Sequence, residues 1–389
     1  MTPRGWHWTG GNVTLDGITK DLEWMKRAGI AGCQLADVSF GTGQAIEDKV
    51  LFGSDRWYQA LRHAASEAKR LGLELAIFSS PGWSLTGGPW VRPEQAMKKL
   101  VWSQTIVQGP GRFNGTLPQP PSNNGPFLDQ GSGGRGPQQD PTYYSDSAVI
   151  AVRLPAAEQD MLALDPKVTS SSGQSDLGLL FDGKYNTAAS IRPPADGGPA
   201  WLRIEFGQPF TARAITIGTT SGIPVGRVLA IGEDGIAQTL VTLPGAQHYR
   251  QGRVRTFAFG PVTAKTYPME FTGGPIGPAQ TISQEPTQPA RQYVLTELRL
   301  HSGGRVHRWE EKASFCHLFE YQTVPTLDYP PYLVVRRSDV IDLTSKMRPD
   351  GSLSWDVPEG RWAILRMGYS LTGAKEPTGS TFWFRLRGR

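Results

Sequence analysis

The first hundred residues alternate between short apolar runs and longer amphipathic ones, and no other feature restricts the possible folds as much. "IAGCQLADV" and "LELAIF" are apolar almost throughout, as strands covered on both faces should be, and "RGWHW" is a short aromatic strand candidate before them. Between them, "TLDGITKDLEWMKRAGI" places Leu15, Ile18, Leu22 and Met25 at helical spacing. Thr14 is positioned to cap its start and Gly29 to end it. "SDRWYQALRHAASEAKRLG" repeats the arrangement, with Trp57, Leu61, Ala64, Ala68 and Leu71 on one face, Ser54 as cap and Gly72 as stop. "RPEQAMKKL" reads as a third helix with Pro93 in its first turn. Strands separated by helices of this length predict βαβ units and a parallel sheet.

From Gly109 the character changes. "GPGRFNGTLPQPPSNNGPFLDQGSGGRGPQQDP" has no periodicity and reads as a loop or linker. Beyond it, "AWLRIEFGQPFTARAITIG", "GRVLAIGEDGIAQTLVTL" and "RQYVLTELRLHSG" are strands separated by turn signals, the pattern of a sandwich. A length of 389 residues suits two or three domains. The expected partition is α/β units over 1–108, a linker over 109–145, a β-rich insertion over 146–323 that is sandwich-like at about 165–310, and a β-rich segment over 324–389.

The net charge of +5 is dispersed, without a run of five Lys or Arg, so a nucleic-acid partner is not expected. Cys33 and Cys316 lack zinc spacing, and Cys33 lies in an apolar run, so a buried free thiol is expected there. No stretch of 18 apolar residues exists, which argues against membrane insertion. "MTPRGWHW" lacks a signal-peptide region, so the expectation is a cytoplasmic chain or one whose beginning lies upstream.

In parallel α/β folds ligands bind outside the carboxyl ends of the strands. The first strand delivers His7, Trp8 and Asn12 there, and the second delivers Asp37. The third runs into "SSPGWSLTGGPW", which carries Trp83, Ser84 and Trp90 among glycines that let backbone approach closely. "AILRMGYSLTGAKE" adds Tyr369, Thr372 and Glu376. Flat rings with polar handles, beside Asp, Asn, Glu and His, suit the apolar faces and hydroxyls of a sugar. Each ring could equally be core, and His63 and Glu67 read as a solvated helix face. Neither a P-loop nor a dinucleotide fingerprint occurs, so no organic cofactor is expected.

"WHWTGGNVTLDGITKDLEWMKRAGIAG", "SSPGWSLTGGPWVRPEQAMKKLVWS", "YYSDSAVIAVRLP", "RVHRWEEKASF" and "VIDLTSKMRPDGSLSWDVPEGRWAILRMGYSLTG" resemble segments of glycoside hydrolase family 106, the α-L-rhamnosidases. The likeness is dispersed over almost the whole chain. It implies a partial (β/α)8 TIM-like barrel interrupted by a discoidin-like β-sandwich, with "FDGKYNTAASI…WLRIEFGQPFTARAITI" as the sandwich signature and the β-rich segment over 324–389 as a truncated return to the barrel. The implied activity is inverting hydrolysis of terminal α-L-rhamnosides in oligo- or polysaccharides by paired carboxylates, with calcium in the site, in an exported enzyme. Asp37, chosen for its place at a strand end, and Glu376, in what resembles the remnant of a family motif, are the candidate catalytic carboxylates, and Asp37, Asn12 and Glu376 offer oxygens of the right hardness for calcium. The chain departs from the family after "GYSLTG", where "AKEPTGSTFWFRLRGR" replaces the usual continuation, and Leu85 stands where relatives often carry an acid. The expectation is therefore a fragment lacking part of the catalytic machinery. A non-catalytic carbohydrate-binding protein is the alternative, and a degenerate product a third.

Overall fold

The computed structural model describes residues 4–38, 43, 45–78, 92–127, 143–173, 176–245, 252–274, 290–316 and 324–372. It divides into two units, Met1–Met97 with Ala374–Arg389, and Lys98–Gly373.

In the first unit, β1 (Arg4–Thr9), α1 (Leu15–Arg27), β2 (Gly32–Val38), α2 (Asp55–Leu71) and β3 (Glu74–Ile77) follow in order. The strands form a parallel sheet in the order β1-β2-β3. The Thr14 hydroxyl accepts from the Gly17 amide and the Ser54 hydroxyl from that of Trp57, and each cap is worth about 1 kcal/mol. Gly72 closes α2 in the left-handed region, with φ of 66°. Ile18, Leu22 and Met25 of α1 and Trp57, Ala60, Ala64 and Ala68 of α2 bury against Trp6, Trp8, Cys33 and Leu35. Strand side chains alternate between faces, so Trp6 and Trp8 turn to the helices while His7 between them is exposed.

The second unit holds two antiparallel sheets. Its strands are β4 (Lys98–Thr116), β5 (Tyr144–Arg153), β6 (Lys167–Ser170), β7 (Ala189–Ile191), β8 (Ala200–Thr219), β9 (Val225–Ile231), β10 (Ala237–Pro244), β11 (Val254–Gly273), β12 (Tyr293–His301), β13 (Val340–Asp342) and β14 (Ser352–Leu371), with a short helix α3 (Trp309–Lys312) after β12. β10-β9-β11-β8-β12-β7 form one sheet with β6 beside β8, and β13-β5-β14-β4 the other. β8 and β11 pair along most of their length, but their register shifts around Ala258–Val262 and Ala264–Thr266. β9 joins the later half of β11 and β12 the later half of β8. Residues of both halves, including Ile204, Phe210, Ile217, Val228, Met269 and Leu298, share one apolar core.

Three sequence-based expectations change. The helix expected over "RPEQAMKKL" is a turn followed by β4, because eighteen registered pairings with β14 outweigh local helix propensity. The linker expected from residue 109 begins as the second half of β4. Its glycine there serves close approach, since a Cβ on Gly109 would lie 1.9 Å from the Pro358 carbonyl oxygen. Of the segment 324–389, expected to return to the barrel, the described residues 324–372 contribute β13 and β14 to the antiparallel sheet, and Tyr369 pairs there with Leu100 and Ser145. Among the described residues no helix is long and apolar enough to cross a membrane.

Candidate functional site

The carboxyl ends of β1 and β2 are tied together by backbone and amide bonds. Past Thr9 the chain turns through Gly10 and Gly11, with φ of 61° and 76°. The Gly10 amide donates to the Val38 carbonyl at 2.7 Å, and the Val50 amide to the Gly11 carbonyl at 2.8 Å. A Cβ on Gly11 would lie 2.6 Å from the Val50 carbonyl oxygen, so only glycine fits. Asn12 then spans the loops. Its Nδ2 donates to the carbonyls of Thr9 at 3.1 Å and Gly43 at 3.0 Å, and its Oδ1 accepts from the Ala45 amide at 2.9 Å. Both of its donor hydrogens are thereby used.

Asp37 is opposite Trp8 in the parallel register, on the face that the helices cover. It is only 9% exposed, and the Trp57 indole Nε1 donates to its Oδ2 at 2.8 Å. Burial pushes its carboxyl up to about 6, against the opposing pull of the indole hydrogen bond. Trp57 reaches it because the Ser54 cap fixes the first turn of α2, and its ring packs edge-on to Trp8 at 6.3 Å and tilted to Phe52 at 4.6 Å. Trp8 is fully buried and also meets Trp6 edge-on at 5.6 Å. The Trp6 indole donates to Asp21 at 3.0 Å, whereas Trp8 Nε1 has no hydrogen-bond partner among the described residues.

The structure thus brings Trp8 and Asp37 together. Asn12 anchors the loops beside them, and His7 is exposed on the opposite face of β1. Tyr369 belongs to the antiparallel sheet of the second unit. Trp83, Ser84, Trp90 and Glu376 lie outside the described residues. The sequence marked Trp57 only as a core position. A buried indole N–H requires an acceptor, and that requirement is the signal that could have linked it to an acid.

Calcium takes six to eight oxygen ligands. Asp37 Oδ2 already accepts from an indole, the amide of Asn12 is committed to three backbone groups, and no set of three or more His, Cys, Asp or Glu gathers among the described residues. The described part of the strand-end site does not fit the ion.

A second polar concentration covers β8, β11 and β12, where "RVHRWEEKASF" folds as α3 and its flanks. Arg308 makes a two-pronged pair with Glu311, and Arg255 Nε lies 3.0 Å from the same carboxylate. Glu310 is held by Thr256 and pushed up to about 7 by burial, as is Glu297 on β12, whose Oε2 has no partner among the described residues.

Comparison with known proteins bears on both units. A rhamnosidase structure from Novosphingobium sp. PP1Y matches 95% of this chain at 33% identity and a TM-score of 0.70. A Formosa agariphila protein, provisionally named a beta-glucuronidase, is 38% identical over 186 residues, 48% of this chain. The chain spans 33% of the former protein's length, and the aligned part spans 14% of the latter's. Residues 2–381 match the family model of glycoside hydrolase 106, described as alpha-L-rhamnosidase, and the chain belongs to that family of glycoside hydrolases.

Proposed function

We propose that this chain supplies part of a glycoside hydrolase that cleaves terminal α-L-rhamnosides with inversion. In this reading the first unit provides the opening βα turns of a (β/α)8 barrel, and the sheet β10-β9-β11-β8-β12-β7 of the second unit belongs to a discoidin-like insertion. The observation that carries the reading is the likeness to a rhamnosidase across 95% of the chain. Inversion needs one protonated carboxyl and one carboxylate, about 6.5–9.5 Å apart. Asp37, desolvated and raised to about 6, has the character of the proton donor. Glu376 is proposed as the base that activates water, and the buried Trp8 indole, opposite Asp37, as the reporter of an occupied site. Because the chain spans only a third of that rhamnosidase, we assign it an incomplete share of the catalytic machinery.

The test combines an aryl α-L-rhamnoside assay with a titration of the purified chain by methyl α-L-rhamnoside, followed at the indole N–H resonances. The expected result is a selective shift of Trp8 with hydrolysis weak or undetected. Ordinary turnover would overturn the incomplete share. Absence of both turnover and a Trp8 shift would overturn the strand-end site.

Binding without hydrolysis is a second reading. It is favoured by the commitment of Asp37 to Trp57 on the helix-covered face, since a carboxyl so held is remote from an open sheet face. Substitution Asp37→Asn separates the two: the sugar-induced shift survives in the binding reading, and any residual hydrolysis disappears in the catalytic one.

A further inference from the structure

Thr256, fully buried on β11, is gripped on every polar atom by the start of α3. Its carbonyl accepts from the Arg308 amide at 2.7 Å, and its amide donates to Glu310 Oε2 at 3.1 Å. Its hydroxyl donates to Glu310 Oε1 at 2.7 Å and accepts from Trp309 Nε1 at 3.1 Å. The same hydroxyl lies 2.9 Å from that of Thr216 on β8, and the Thr216 hydroxyl lies 2.8 Å from His301 Nε2 on β12. Four side chains on three strands and a helix therefore form one line, His301–Thr216–Thr256–Glu310.

The hydrogens in this line have one arrangement for each state of Glu310. With the carboxylate ionised, the Thr256 hydrogen goes to Oε1. The remaining lone pair of Thr256, beside the one used by Trp309, then takes the Thr216 hydrogen. Thr216 in turn accepts from His301, which must carry its proton on Nε2. With Glu310 protonated, Oε2 is still occupied by the Thr256 amide, so the proton sits on Oε1 and points at Thr256. Each hydroxyl then reverses, and Thr216 donates to a bare His301 Nε2, so the histidine proton moves to Nδ1.

We propose that this line is a reversible hydrogen-bond chain that keeps α3 docked on the sheet in both protonation states of Glu310, by exchanging one tautomer of His301 for the other. An isolated buried carboxyl would gain or lose a bonding partner on titration. Here each hydrogen between Glu310 and His301 Nε2 keeps a partner in both states, so the docked segment tolerates the change. Glu310 is 1% exposed and raised to about 7 by burial, which places the exchange near neutrality. The charged and titratable groups that act on it are Glu311 of α3, Cys316 and Tyr185, while Arg308 at the start of α3 and Arg255 of β11 pair with Glu311. Arg299 and Arg305 face His301 and, with burial, hold it neutral. His307 supplies an internal reference: its Nδ1 accepts from the Ala258 amide at 3.0 Å, so its neutral form keeps the proton on Nε2.

The chain has six histidines, so selective ¹⁵N-histidine labelling of the full protein and two-bond ¹H–¹⁵N correlation resolve the tautomers. The expected result is His301 with Nε2 protonated at about pH 8 and Nδ1 protonated at about pH 6, while His307 retains its proton on Nε2. In Glu310→Gln, the Thr256 amide takes the amide oxygen and turns the NH₂ toward the Thr256 hydroxyl, so His301 is expected as the Nδ1-protonated form at both values. A His301 tautomer that is unchanged across the range in the natural protein overturns the proposal, whether or not the variant folds. So does an imidazolium that appears before any exchange.

Discussion

Asp37→Asn is expected to make the first unit more stable at neutral pH, and the gain is expected to vanish in acid. The Asp37 carboxyl is shifted from its ordinary 3.8 to about 6, chiefly by burial, with only the Trp57 indole hydrogen bond pulling the other way. The folded state therefore binds the proton more tightly than the unfolded state. Below the unfolded value both forms are protonated and no penalty exists. Stability then falls as pH rises through the interval up to about 6, and above it the full penalty persists. A shift of this size corresponds to about 3 kcal/mol as an upper bound, and at 9% exposure solvent screening removes little of it. The amide retains an oxygen that accepts the Trp57 hydrogen, so the substitution deletes the charge without deleting the bond. Hydrogen exchange of the β2 amides is the appropriate assay, because it reads the opening of this sheet separately from the second unit. Protection at about pH 8 should rise by one to two powers of ten over the natural chain after correction for intrinsic rates, with no difference at about pH 3. Equal protection at both values, or a loss at the higher one, would refute the argument that Asp37 is held ionised against its environment.

Other outcomes follow from the same kind of reasoning. Asn12→Ala removes three hydrogen bonds, those to Gly43 and Ala45 between loops, at about 1 kcal/mol each, and should raise exchange at Ala45 while leaving the second unit unaffected. Glu297→Gln should stabilise the second unit above about pH 7 by up to about 3 kcal/mol, and below about pH 4.5 it should be neutral, because burial raises the carboxyl to about 7 and its Oε2 lacks a partner among the described residues; urea midpoints at the two pH values read this directly. Arg308→Ala breaks a buried two-pronged pair and should cost about 3 kcal/mol in the same titration, with Arg255 beside Glu311 limiting the loss. Gly226→Ala should prevent β9 from pairing with β11, since its Cβ would lie 2.0 Å from the Glu270 carbonyl oxygen; loss of the cooperative thermal transition is the expected sign.

What the sequence disclosed follows the range of the interactions involved. Both long helices were legible with their caps, because Thr14, Ser54 and Gly72 act on residues within four positions. β4 was not legible. Its first residues favour a helix and its glycines favour a linker, and only the partner strand 250 residues later makes both choices sensible. The strand-end residues show the same division. Residue type indicated that Asn12 and Asp37 could meet a sugar, but type measures hydrogen-bonding capacity before the fold has drawn on it. Asn12 reaches Gly43 and Ala45 across more than thirty residues, and those contacts exhaust its donors. Asp37 spends one oxygen on an indole twenty residues away. What the fold leaves uncommitted among the described residues is the Trp8 Nε1 hydrogen and a carboxyl whose hydrogen bond there is to Trp57. Both lie on the helix-covered face, so the pair senses a sugar bound beside it rather than presenting a surface to one. This makes Trp8 and Asp37, rather than the wider roster of polar side chains, the place where a sugar-recognition experiment on the first unit should look.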